Sequence, residues 1–223
     1  MFGISLYQPK VIETRQEGRA FFNPRTVFAA NDMTEYTTPY LSQIPCSWGA
    51  VYFPEHWREF HSYLNVRLSE VLFGIDAVVV PEARSNRWSK SWKKYFIELV
   101  YLRGYVMVYP NYDNFVSLST NHLEIGSHVK DATRETYVQK REMFRVPLMG
   151  LEGATRLVDL PHGMLPVFDD LPVLDLFGQL SSLETLISLG RTRRSEVIPT
   201  CEHSPENHIR PDFRGLICVP RTE

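Results

Sequence analysis

Residues 44–63, IPCSWGAVYFPEHWREFHSY, constrain this chain more than any other stretch. Residues 50–53 are a short apolar strand. Pro54 then suits the first turn of a helix, where its missing N–H is harmless. Trp57, Phe60, Leu64 and Leu68 recur at three- and four-residue spacing and give that helix one apolar face. The strand is reached through a polar, aromatic corner, Pro45-Cys46-Ser47-Trp48-Gly49. A packed strand entering a helix through such a corner is a rigid frame for a binding site.

The flanking chain reads as an α/β layer. Residues 2–7 are a strand candidate ended by Pro9. Residues 26–30 fit one helical turn or a short strand, and residues 76–80 fit a buried strand or the end of the preceding structure. A helix begins near Ser89, with Trp92, Phe96, Leu99 and Val100 inward, and stops at Gly104, a left-handed cap position. Residues 105–109 are rich in strand formers. Strand, helix and strand thus follow one another from about residue 50 to 109. Residues 131–145 are a charged surface helix or a mobile segment. A short helix over residues 182–189 has Ser181 or Ser182 as cap and Gly190 as its stop. The expected organisation is one α/β domain over residues 1–190 and an irregular, Pro- and Arg-rich tail over 191–223.

The 43% hydrophobic content of these 223 residues suits one domain of ordinary size. A formal net charge of -2 argues against a general nucleic-acid binder. No secretory leader opens the chain, and no run reaches membrane-spanning length. The compartment stays open. Cys46, Cys201 and Cys218 form no CxxC pair, so a structural zinc site is not expected. Cys201 and Cys218 can pair as a disulfide, but a fully reduced state fits equally well.

Several groups can carry chemistry, each with a plainer structural role beside it. Glu55, at the start of the helix, either complements the helix dipole or acts as a general base against Trp57. Arg84, Arg87, Lys90, Lys93 and Lys94 either grip an acidic group such as a diphosphate or form a solvated face. Trp48, Trp57, Trp88 and Trp92 suit sugar stacking as well as core packing. Asn121, His122, Glu124 and His128 crowd a polar loop that follows a strand, a common place for ligands in open α/β proteins. The spacing of His122, Glu124 and His128 matches no zinc signature, and satisfying loop backbone is their plainer role. No phosphate loop, dinucleotide fingerprint or nucleophile elbow is present.

Four blocks resemble fungal and plant glycosyltransferase-like proteins. They are Gly3-Ile4-Ser5-Leu6-Tyr7 with Pro9-Lys10, then Gln43 through Gly49 with Phe53-Pro54 and Trp57-Arg58. The third runs from Trp88 to Asn111, and the fourth is Ser117-Leu118-Ser119-Thr120-Asn121-His122. Together they span roughly the first 125 residues. The resemblance implies a partial GT-A-like, Rossmann-like mixed sheet with flanking helices, and transfer of a sugar from a nucleotide-sugar donor. It implies a divalent metal, Mn2+ or Mg2+, and a glycan or other acceptor. Such enzymes use an Asp-x-Asp motif, which this chain lacks, so the nucleotide-binding half is expected upstream of Met1 and this chain is expected to be the acceptor side. By position, Ser47, Trp48 and Gly49 line the acceptor pocket and Glu55 is the base. Trp57 and Trp88 face sugar, and Asn121 belongs to the binding loop. His122 or His128 is a late metal ligand, and Arg84 or Lys93 steadies the departing diphosphate. The missing motif also supports a noncatalytic carbohydrate-binding domain. A structural or partner-binding domain is the third expectation.

Overall fold

The computed structural model describes residues 1–69, 75, 77–122, 133–150, 164 and 166–198. It is a mixed α/β fold. Strands β1 (Gly3–Ser5), β4 (Tyr40–Ser42), β5 (Ala50–Tyr52), β6 (Met107–Tyr109), β7 (Val173–Leu174) and β8 (Leu180–Ser181) form one sheet in the order β5-β1-β6-β4-β7-β8. A separate hairpin pairs β2 (Val11–Ile12) with β3 (Ala20–Phe21). Within the main sheet β1 runs parallel to β6 and β4 parallel to β7, while β5, β8 and the β4–β6 pair are antiparallel.

Alternation along the strands sends side chains to two faces. Tyr40, Met107, Tyr109 and Leu174 share the main core with Phe60 and Tyr63 of α2 (Pro54–Leu68) and Phe96, Ile97 and Leu99 of α3 (Trp92–Arg103). Leu41 and Val173 form a second cluster with Leu186 of α5 (Leu183–Val197), and Val108 and Leu183 pack against it. Two shorter helices, α1 (Pro24–Ala30) and α4 (Arg134–Phe144), complete the fold. Residues 24–30 and 134–144 are therefore helical, which resolves both alternatives read from the sequence.

Four expectations are corrected. The apolar face of α2 is rotated from the one its spacing predicts: Trp57 is 41% and Leu68 61% exposed, while Glu59 is buried. Glu59 can be buried because Arg103 Nη2 donates to Oε1 at 2.6 Å and Tyr105 Oη donates to Oε2 at 2.7 Å. Trp92, expected inward, is likewise 42% exposed. Gly190 does not stop α5, which runs on to Val197 and carries regular structure past the expected domain edge. Gly190 is buried inside the helix, and a Cβ there would press on the backbone of Tyr101 and Leu102, so the missing side chain lets α5 approach α3 closely. Residues 77–80 are irregular, although Val79 and Val80 are buried.

Gly104 fulfils its expected role, capping α3 at φ 63°. Residues 199–223, with Cys201 and Cys218, lie outside the described residues. Among the described residues no helix is long and apolar enough to cross a membrane.

Candidate functional site

The site forms where the chain leaves β1. Leu6 N–H donates to the Gly49 carbonyl at 2.7 Å, and the Leu6 carbonyl accepts from Leu118 N–H at 2.9 Å and Ser119 N–H at 3.0 Å. Three separate segments therefore meet around one residue. Ser119 Oγ donates to the Trp48 carbonyl at 3.2 Å. Gly49 holds φ 82°, and a side chain there would fall on Ser119, so this turn needs glycine for both conformation and space.

Beside this junction, near the carboxyl ends of the parallel strands β1 and β6, lies a cavity of about 30 Å3. That is room for a couple of water molecules or one edge of a small ligand. Its apolar wall comprises Tyr7, Pro9, Val11, Ile44, Pro45, Trp48, Trp88 and Tyr109. Its polar lining comprises Glu13, Thr14, Cys46, Ser47 and Lys93.

Packing fixes the rings. Trp48 meets Tyr7 edge-on at 5.4 Å and Phe144 at 4.8 Å between centroids. Tyr7 Oη donates to the Phe144 carbonyl and Tyr109 Oη to the Ile44 carbonyl, both at 2.7 Å. Burial pushes both phenols above their ordinary range, so they stay neutral. Trp88 closes the short 3-10 turn Arg84–Arg87, and the Arg84 guanidinium lies 6.0 Å from its ring centroid. Lys93 comes from the first turn of α3; its Nζ is 5.6 Å from the Trp48 ring centroid and 3.9 Å from Glu13 Oε2. Arg19 Nε donates to Glu13 Oε1 at 2.8 Å.

Burial also raises the Cys46 thiol, opposed by weaker effects from Ser5, the Trp48 backbone and Lys93. A protonated, buried thiol is a poor nucleophile. Glu13 is the lining carboxylate. This arrangement is suited to holding a ligand with one flat apolar face and some hydroxyl or charged groups.

Of the residues singled out in the sequence, Ser47, Trp48, Trp88 and Lys93 come together in this cavity. Gly49 shapes its edge through Ser119, and Arg84 stands behind Trp88. Glu55 is exposed on the first turn of α2, outside the lining. Trp57 stacks on Tyr52 at 5.0 Å and lies 6.2 Å from Trp92, on a different surface. Asn121 is half-buried, His122 is exposed, and neither lines the cavity. His128 and Glu124 lie outside the described residues.

Tyr7, Glu13, Thr14 and Tyr109 were missed as site residues. Tyr7 and Tyr109 carried a signal, since both lie at strand ends. Glu13 and Thr14 sit in a polar turn that looks like any other.

Of the residues expected to hold a divalent ion, His122 is described and His128 lies outside the described residues. No group of three or more His, Cys, Asp or Glu side chains gathers among the described residues, and exposed His122 offers a single imidazole.

Residues 9–73 match a family model described as the SPBC1E8.03c C-terminal domain. The match covers under a third of the chain and includes the cavity residues Pro9 through Thr14, the 44–48 corner and α2. No curated protein and no solved structure matches the chain.

Proposed function

We propose that this chain binds carbohydrate at the mouth of the Trp48–Trp88 cavity, with one edge of the sugar entering it, and serves as the acceptor-side wall of a glycosyltransferase-like protein. One observation carries the reading: two tryptophans and two tyrosines line the same cavity as Ser47, Glu13 and Lys93. Aromatic faces accept the C–H face of a sugar ring, and short polar groups beside them accept and donate to its hydroxyls. Held between Arg19 and Lys93, the Glu13 carboxylate is placed to accept a hydroxyl hydrogen.

Calorimetric titration with a panel of methyl glycosides tests the binding step. At least one member should bind, and Trp88→Ala should weaken it about 10-fold or more, the effect of about 1.4 kcal/mol. Failure of every glycoside to bind the folded protein would refute the reading.

Glycosyl transfer is the fuller form of the proposal, with a nucleotide sugar as donor and Glu13, the lining carboxylate, as base; Glu55, the base expected from the sequence, lies at the far end of β5 from the cavity. In a preparation that turns over, Glu13→Gln should lower kcat by about 100-fold or more, the usual worth of a general base, while Glu55→Gln leaves it in place. Unchanged turnover in Glu13→Gln would remove Glu13 from the mechanism and leave carbohydrate binding standing.

A further inference from the structure

We infer that the cavity selects a carbohydrate bearing an acidic group, a carboxylate or a phosphate, and that Lys93 reads that group. This rests on the carbohydrate reading above and goes beyond it to the class of sugar.

The Lys93 side chain is only 16% exposed. A shielded ammonium is costly unless it is paired and hydrogen-bonded. Its pairing here is loose. The nearest carboxylate oxygen, Glu13 Oε2, is 3.9 Å away, beyond hydrogen-bond reach, and Arg19 already holds the other oxygen at 2.8 Å. The Trp48 ring at 5.6 Å offers a cation–π contact but no oxygen acceptor. Among the described residues, then, no acceptor lies within hydrogen-bond distance of this ammonium, and it borders an open cavity.

Two further cations stand near the cavity without lining it. Arg84 lies against Trp88, and the Arg19 guanidinium, paired with Glu13, sits 5.1 Å from the ring centroid of Phe144, which packs on Trp48. In the lining itself Lys93 is the cation and Glu13, already held by Arg19, is the carboxylate. The first turn of α3 contains no acidic residue, and Ser91 makes no side-chain cap bond, so the helix itself supplies nothing to offset a lysine placed against its dipole. Apolar walls keep the dielectric low and strengthen discrimination by charge. An anionic substituent can both hydrogen-bond Lys93 and neutralise its charge, whereas the hydroxyls of a neutral sugar can only hydrogen-bond it.

Calorimetric titration of the protein with glucose, glucuronate, glucose 6-phosphate and inorganic phosphate tests this. At least one acidic sugar should bind about 10-fold or more tighter than glucose, the equivalent of about 1.4 kcal/mol. The better of the two identifies carboxylate or phosphate as the preferred group. Lys93→Met should bring the acidic-to-neutral ratio close to one, whereas Lys93→Arg should keep most of it; thermal melts establish that both variants fold.

Equal affinity for glucose and both acidic sugars would overturn the inference and spare the carbohydrate reading. So would a ratio that Lys93→Met leaves intact, or inorganic phosphate binding as tightly as glucose 6-phosphate. Binding of none of the sugars would overturn both.

Discussion

His56 is half-buried on the first turn of α2, its ring edge-on to Tyr105 at 4.9 Å, and its Nδ1 is buried without a hydrogen-bond partner among the described residues. Burial first, and the Met1 amino group second, hold its pKa below the ordinary 6.5. The folded state therefore binds this proton less readily than the unfolded state does. Stability from this residue is intact above pH 6.5 and falls as pH drops from there toward the folded value, by at most about 1.4 kcal/mol per pH unit. Thermal melts should show the loss between neutral and mildly acidic pH, and His56→Phe, which keeps the ring packing, should flatten it. A variant with the parent's pH dependence would show that His56 is not the responsible group. Single residues were unevenly legible in the sequence. All four tryptophans stood out as large rings, but the sequence did not separate Trp48 and Trp88, which share the cavity, from Trp57 and Trp92, which do not. Glu13 did not stand out, because only the fold brings Lys93 and Arg19 to it.

Helices α2 and α3 are joined by two shielded charge clusters as well as by apolar packing. Glu59 takes Arg103 and Tyr105, while Glu98 takes Arg67 Nε at 2.9 Å and Tyr63 Oη at 2.9 Å. The Glu59 side chain is 0% exposed, so removing Arg103 strands a carboxylate in the core. Arg103→Met should cost about 3–5 kcal/mol in urea unfolding, and adding Glu59→Met should restore most of it, since an apolar pair replaces both charges. A single variant near parental stability would contradict this account of the α2–α3 interface.

The same clusters explain what the sequence concealed at this scale. A periodicity count treats Glu59 as surface, and that rotates the predicted face of α2 onto Trp57 and Leu68. The extents of α2 and α3 were readable, because Pro54 and Gly104 punctuate runs of a dozen residues or more. Strands β4, β7 and β8 are two or three residues long, too short to show a period, and long-range pairing defines them. Gly190 was misread because a glycine that admits a neighbouring helix looks the same in sequence as one that ends its own.

Taken whole, the molecule divides its four tryptophans between two places. Trp48 and Trp88 line the cavity, whereas Trp57 and Trp92 are half-exposed beside one another. Both arrangements can in principle stack on sugar. The cavity sets polar and charged groups beside its rings, and there three separated stretches of chain converge on the exit of β1. The α/β class was legible from the sequence. The convergence was not, because residues 6, 49 and 118 become neighbours only through the sheet. The most direct test of the central claim is fluorine NMR of protein labelled with 5-fluorotryptophan, assigned by single Trp→Phe variants and titrated with the tightest-binding sugar. The account predicts that the Trp48 and Trp88 resonances shift with saturation while those of Trp57 and Trp92 stay in place; shifts confined to Trp57 and Trp92 would contradict it.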